Sequence, residues 1–123
     1  MDLELVKFFF VLQNSIRMYH WQTTSYSRHI ATDTLLTGLA PLIDRFMEVY
    51  QGRYGKLSYH GEVNCGFLTI SDSTAPEVIK ESIAFLKGLE QAQSKLRADN
   101  ELLNIRDEMV ASLQQTLYLM TFK

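Results

Sequence analysis

Between residues 27 and 52 the chain sets His29, Asp33, Asp44 and Glu48 at spacings that a single helix turns onto one side. At about 100° per residue, Asp33 lies about 40° round from His29, Asp44 about 60° and Glu48 about 100°. Yet fifteen residues separate His29 from Asp44, roughly 22 Å of helix axis. One metal ion cannot span that gap within one chain. A second copy of the helix, packed antiparallel about a two-fold axis, brings the His29 end of one chain opposite the Asp44/Glu48 end of the other and makes two equivalent sites per dimer. The midpoint falls near Thr37 and Gly38, whose small side chains let two backbones approach.

The rest of the chain is helical in pattern. Over 2–22, Leu5, Phe8, Phe9, Leu12, Ile16 and Tyr19 recur at three- and four-residue steps behind Asp2 as N-cap, and His20 continues the edge of that stripe. Thr23, Thr24 and Ser25 break the pattern and offer caps for the second helix. In 27–52, Ile30, Leu35, Leu36, Leu39, Leu42, Ile43, Phe46 and Tyr50 predict more than one apolar face, one for the core and one for a partner. Pro41 predicts a kink near Thr37. Residues 53–73, with Gly55, Gly61 and Gly66, read as a long connection. Thr74, Pro76 and Glu77 form a capping-box signature with proline in the first turn, opening a helix to about Leu96. Asp99 and Asn100 recap the last helix, whose Leu102, Ile105, Met109, Leu113, Leu117 and Met120 show the best period in the chain. Four helices, two short connections and one long one predict an all-α four-helix bundle, with a long crossover between helices 2 and 3 and a single domain over 1–123.

Composition narrows the function. Twelve basic and 14 acidic residues give a net charge of −2, with no basic run or tail, so neither nucleic acid nor a membrane surface is an expected partner. The acidic start and the short Phe8–Leu12 apolar run fit neither a secretory signal nor a membrane span. A single cysteine, Cys65, excludes an internal disulfide framework and suits a reducing, cytoplasmic setting.

Imidazole plus carboxylate without thiolate is a donor set for iron, manganese or zinc. The pairs His29/Asp33 and Asp44/Glu48 each place two such groups on adjacent turns. Taken singly, such residues are more often interface histidines and solvated acids. Two histidines and three carboxylates in compatible phases are what favour a metal. Asp107 and Glu108 diverge by about 100° and cannot share a face. His60, Glu62 and Cys65 are scattered through one loop. The aromatic residues at helical spacing are expected in the core, with Trp21 additionally covering the site beside His20. No phosphate loop, nucleophile elbow or His-Glu-x-x-His motif occurs.

His20-Trp21, then His29-x-x-x-Asp33, then Asp44-x-x-x-Glu48 resembles the ferroxidase segment of the DNA-protection-during-starvation (Dps) miniferritins of the ferritin-like superfamily. The resemblance covers roughly residues 16–52. It implies a ferritin-like bundle in which His20, His29 and Asp33 come from one subunit and Asp44 and Glu48 from its two-fold mate. Together they would bind Fe(II) and oxidise it with peroxide or oxygen, for iron detoxification, storage and oxidative-stress protection. His20, His29, Asp44 and Glu48 would be the catalytic set, and Asp33 a further metal ligand or an orienter. The His20–His29 interval is about a turn shorter than the family's usual one. The lysine-rich tail with which many relatives grip DNA is missing, so DNA binding is not carried over. A homo-oligomer of at least two chains is implied, with the family's dodecamer as the larger form. The short chain also resembles uncharacterised proteins of phages and large DNA viruses. The rival expectations are a non-catalytic helical assembly module and a zinc-binding structural dimer.

Overall fold

The apolar stripes become helices largely where their spacing places them. The computed structural model describes residues 2–123, and among them every regular element is helical. Helix α1 spans Asp2–Gln22 and buries Leu5, Phe9, Leu12, Ile16 and Tyr19. Asp2, the first described residue, is itself helical rather than the expected N-cap. Its carboxylate is taken by a longer-range partner, the Tyr50 hydroxyl, with Lys95 Nζ 3.5 Å away.

Helix α2 spans Tyr26–Tyr54. Ser25 caps it, its hydroxyl accepting the Arg28 N–H at 3.3 Å. It runs through Pro41, which lies with Thr37 on the exposed side. There a carbonyl that loses its donor can be hydrated, so the helix need not end. It stops at Gly55, whose φ of 96° favours glycine and whose N–H closes on the Gln51 carbonyl at 2.8 Å. Ala31, Thr32, Leu35, Leu36, Leu39, Ile43, Phe46 and Tyr50 face the core. The expected second apolar face is different in kind. Asp33, Thr34, Thr37, Ala40, Pro41, Asp44 and Glu48 form an exposed stripe of small and acidic residues, and its large apolar members, Tyr26 and Ile30, sit at its start.

No regular element occupies the segment between α2 and α3, apart from a turn at 72–74. It is held at points: the Leu68 N–H donates to Ser15 Oγ at 2.8 Å, and Ile70 is buried. Helix α3 spans Ala75–Lys87 with Pro76 in its first turn. The capping box does not form, because the Thr74 hydroxyl turns back to accept the Ser71 N–H at 2.9 Å. The helix expected to reach Leu96 breaks at Gly88, into α4 at Leu89–Ala92 and a short 3-10 turn at Ser94–Leu96. The buried Arg106 secures that break, donating to the Leu86 carbonyl at 2.8 Å and pairing with Glu90 at 2.8 Å. Helix α5 spans Asn100–Leu119 and is capped by Asp99, whose carboxylate accepts the Leu102 N–H at 3.2 Å.

Helix α2 packs against α1 and α5, and α3 packs against α5. Phe8 of α1 stacks on Phe85 of α3, with ring centroids 4.0 Å apart. The buried apolar residues form one contiguous core. Among the described residues no helix is long and apolar enough to cross a membrane.

Candidate functional site

Thr23, Thr24 and Ser25 turn the chain from α1 into α2. His20 therefore sits in the last turn of α1, and His29 in the first turn of α2 lies against it. The two rings stack with centroids 3.9 Å apart and planes 15° from parallel. His20 is 7 % exposed because it extends the Ile16 stripe into the core edge, whereas His29 is half-buried. A carbonyl can only accept, so His29 Nδ1–H donates to the His20 carbonyl at 2.9 Å. His20 Nδ1 lies 2.9 Å from the hydroxyl of buried Thr32. Neither Nε2 atom has a hydrogen-bond partner among the described residues. Nor is either sealed from solvent: the unpartnered, fully buried side-chain polar atom among these residues is Gln93 Nε2.

A second layer locks the corner. Tyr19 and Thr23 donate to one oxygen of Asp72 at 2.7 and 2.8 Å. Arg28 reaches the Tyr19 hydroxyl at 3.0 Å and the Asp72 carbonyl at 3.1 Å. The Tyr19 hydroxyl, then that of Thr23, hold the Asp72 carboxyl below the usual carboxylate range, and the Arg28 charge adds to this. Burial, then the bond to Asp72, pushes the Tyr19 phenol up. The segment before α3 thus straps the α1–α2 turn that carries both imidazoles.

Of the three carboxylates, Asp33 lies one turn from His29, and Asp44 and Glu48 stand apart from the pair. Asp33, Asp44 and Glu48 are exposed on the outward stripe of α2, and none joins an ion pair among the described residues. Asp44 edges an apolar cleft of about 340 Å³ that also takes in Val6, Phe10, Met47, Tyr59 and Val63. No group of three His, Cys, Asp or Glu side chains within the chain is placed to hold a metal, among the described residues. His20 and His29 are brought together; Asp44 and Glu48 lie several turns further along the same helix.

Other candidates go elsewhere. His60 is exposed, with Ser58 Oγ 3.5 Å away, and Cys65 is a free, half-buried thiol. Asp107 is held by Arg106 Nε at 2.7 Å. Trp21, expected in the core or over the site, is 71 % exposed. Tyr19 and His20 take the inward phases of that last turn, and the next residue is rotated about 100° outward.

Two contributors were not singled out in the sequence. Thr32 falls at the phase of Leu35, Leu36 and Leu39, so it is buried, and a buried hydroxyl needs a partner. That polar residue within an apolar arc was a legible signal. The Tyr19–Asp72–Arg28 lock spans 53 residues between Tyr19 and Asp72, and no local pattern announces it.

Imidazole and carboxylate are donor types that divalent first-row metals accept, but within one chain they are not gathered into a site among the described residues. Two imidazoles offer Nε2, and the carboxylates that a hard ion also needs stand without protein partners on α2. No curated protein and no solved structure matches the chain. A family model matches residues 20–120, a span that holds His20, His29, Asp33, Asp44 and Glu48. On that match, which takes in most of its length, the chain belongs to the Family of unknown function (DUF5856).

Proposed function

We propose that this protein is an iron-binding ferroxidase of Dps-like miniferritin type, acting in iron detoxification and oxidative-stress protection in the cytoplasm. In this reading α1, α2, α3 and α5 are the helices of a ferritin-like four-helix bundle, and the segment between α2 and α3 is its long crossover. Two chains pair antiparallel along the outward stripe of α2, as a dimer or within a larger shell. Each site then takes His20 and His29 from one chain and Asp44 and Glu48 from its mate. Asp33, one turn from His29, is a further ligand or orients one.

The observation that carries this reading is the stacked pair of imidazoles whose Nε2 atoms have no protein partner. Fe(II) is the substrate. The neutral imidazoles bind it, and the carboxylates offset its charge and favour the more highly charged ferric product. Each Fe(II) gives up one electron; a peroxide takes two, with two protons, to become two waters. Molecular oxygen is the alternative oxidant. The same donors accept zinc or manganese.

The test is an Fe(II) titration of the purified protein followed by near-ultraviolet ferric absorption. The native chain is expected to oxidise iron well above the rate in buffer, and His29→Ala combined with Glu48→Ala to fall back to that rate. Equal rates for the two proteins sink the ferroxidase. The cross-tie from His29 Nδ1 to the His20 carbonyl joins α1 to α2 without any metal, and equal rates would favour that role, in a helical assembly module. Zinc at full occupancy with no oxidase activity would identify a structural zinc dimer. Native mass separates a dimer from a dodecameric shell.

A further inference from the structure

We propose that Thr32 is a positioning residue: its hydroxyl fixes the proton of His20 on Nδ1 and so leaves Nε2 as the bare nitrogen. The hydroxyl has one proton and three neighbours. The Arg28 carbonyl is at 2.8 Å, the His29 carbonyl at 3.1 Å and His20 Nδ1 at 2.9 Å. Both carbonyls can only accept, so the hydroxyl proton is drawn to the helix backbone, with Arg28 the nearer acceptor. A lone pair of the oxygen then faces Nδ1. An unprotonated Nδ1 would set two lone pairs against each other at 2.9 Å. A protonated Nδ1 donates to that lone pair, and the contact becomes a hydrogen bond. Thr32 is 0 % exposed, so no bulk water can take either role.

His29 reaches the same tautomer by a different route. Its Nδ1–H is fixed by the backbone carbonyl of His20, which no side-chain substitution removes. The two stacked rings thus depend on separate devices, one a side chain and one the main chain. Replacing the Thr32 hydroxyl should reset His20 and leave His29 as an internal control. The use of Nε2 in metal binding rests on the ferroxidase proposal; the placement of the proton does not.

The test is nitrogen-15 NMR of the imidazoles in the full-length, metal-free protein, at a pH above imidazole titration. The native chain and Thr32→Ser are expected to show both histidines protonated on Nδ1. Thr32→Val keeps the side-chain shape but loses the acceptor. In it His20 is expected to shift toward Nε2–H while His29 stays unchanged. Zn(II) affinity should drop roughly 10–100-fold in Thr32→Val, the range for losing a partner of a metal-ligating histidine, and recover in Thr32→Ser. An Nε2–H tautomer of His20 in the native chain overturns the proposal, and so does retention of Nδ1–H in Thr32→Val. The native spectrum decides the point even if Thr32→Val fails to fold. A tautomer that shifts as expected in a protein that binds neither Zn(II) nor Fe(II) removes the ferroxidase and leaves the role of Thr32 standing.

Discussion

At its first turn α2 meets α1 through His20 and His29. About six turns later it meets α1 again through Tyr50 and Asp2. Both junctions put polar side chains against the core, and they finish them differently. At the tyrosine end the groups close on one another except for Gln93 Nε2, which is fully buried without a partner among the described residues. Tyr50 is 0 % exposed, donates to Asp2 and lies 3.0 Å from Gln93 Oε1. Lys95 Nζ sits 4.8 Å over the Tyr50 ring and 4.8 Å over that of Tyr54, whose hydroxyl donates to Asp99 at 2.7 Å. At the histidine end the inner nitrogens are tied and the outer ones are left open. On the ferroxidase proposal, the open nitrogens at the histidine end are the ones that take the metal, and the tyrosine end has no part in it.

The largest effect that separates the two ends should be on stability. Tyr50→Ala empties a fully buried ring site, removes the hydroxyl that donates to Asp2 and takes away one of the two rings under Lys95. It is expected to cost about 3–5 kcal/mol, the range for deleting a large core aromatic. His29→Ala, at a half-buried site, should cost about 1 kcal/mol. Urea unfolding of both variants measures the contrast. Equal losses would mean that the histidine corner is structural in the same sense as the tyrosine end.

Acid should sharpen the comparison by a smaller amount. Each end carries an aspartate held low chiefly by a tyrosine hydroxyl, Asp2 by Tyr50 and Asp72 by Tyr19. Their folded pKa values lie below the ordinary 3.8, so each contributes stability that is present above pH 3.8 and lost as pH falls through the lower folded value. Solvent screens both carboxylates, which keeps the effect modest. Asp72→Asn should flatten the acid limb of the stability–pH curve, measured by urea unfolding between about pH 2 and 5. An unchanged limb would show that the strap on the α1–α2 turn does not depend on charge. The tyrosines act in the opposite range. Burial, then Asp2, pushes Tyr50 well up from 10.0, so its contribution is whole below pH 10.0 and declines as pH rises beyond it.

Much of this was legible in the sequence, for reasons that differ by element. Helices α1, α2 and α5 follow period and caps, which are local: Ser25 and Asp99 cap where their chemistry suggests. The phase of Asp33, Asp44 and Glu48 was legible too, and they do share the outward stripe of α2. The misses involve competition from distant groups. Thr74 would cap α3, but the Ser71 N–H claims its hydroxyl. The break at Gly88 depends on Arg106, which lies 20 residues beyond the Leu86 carbonyl it binds. Asp2 is claimed by Tyr50 across 48 residues. The family resemblance grouped His20 with His29, and the short turn between α1 and α2 brings them to one corner. The resemblance could not show that their rings stack, or that Thr32 stands behind one of them.

The smallest expected effect is also the most discriminating. Asp44 and Glu48 are exposed and carry no ion pair among the described residues, so folding of a single chain gains little from either. Asp44→Asn combined with Glu48→Gln keeps the shape and removes both charges. Unfolding free energy, measured at dilutions where chains do not associate, should stay within about 0.5 kcal/mol for each substitution. Fe(II) oxidation by the assembled protein should fall toward the rate in buffer, because a ferric product would lose its anionic ligands. The same exchange at the tyrosine end, Asp2→Asn, should do the reverse: it weakens a hydroxyl–carboxylate bond and leaves iron chemistry untouched. If instead the Asp44/Glu48 variant is clearly destabilised as a monomer, those carboxylates serve the fold. The outward stripe of α2 would then lose its claim to be the half of a site that a second chain completes.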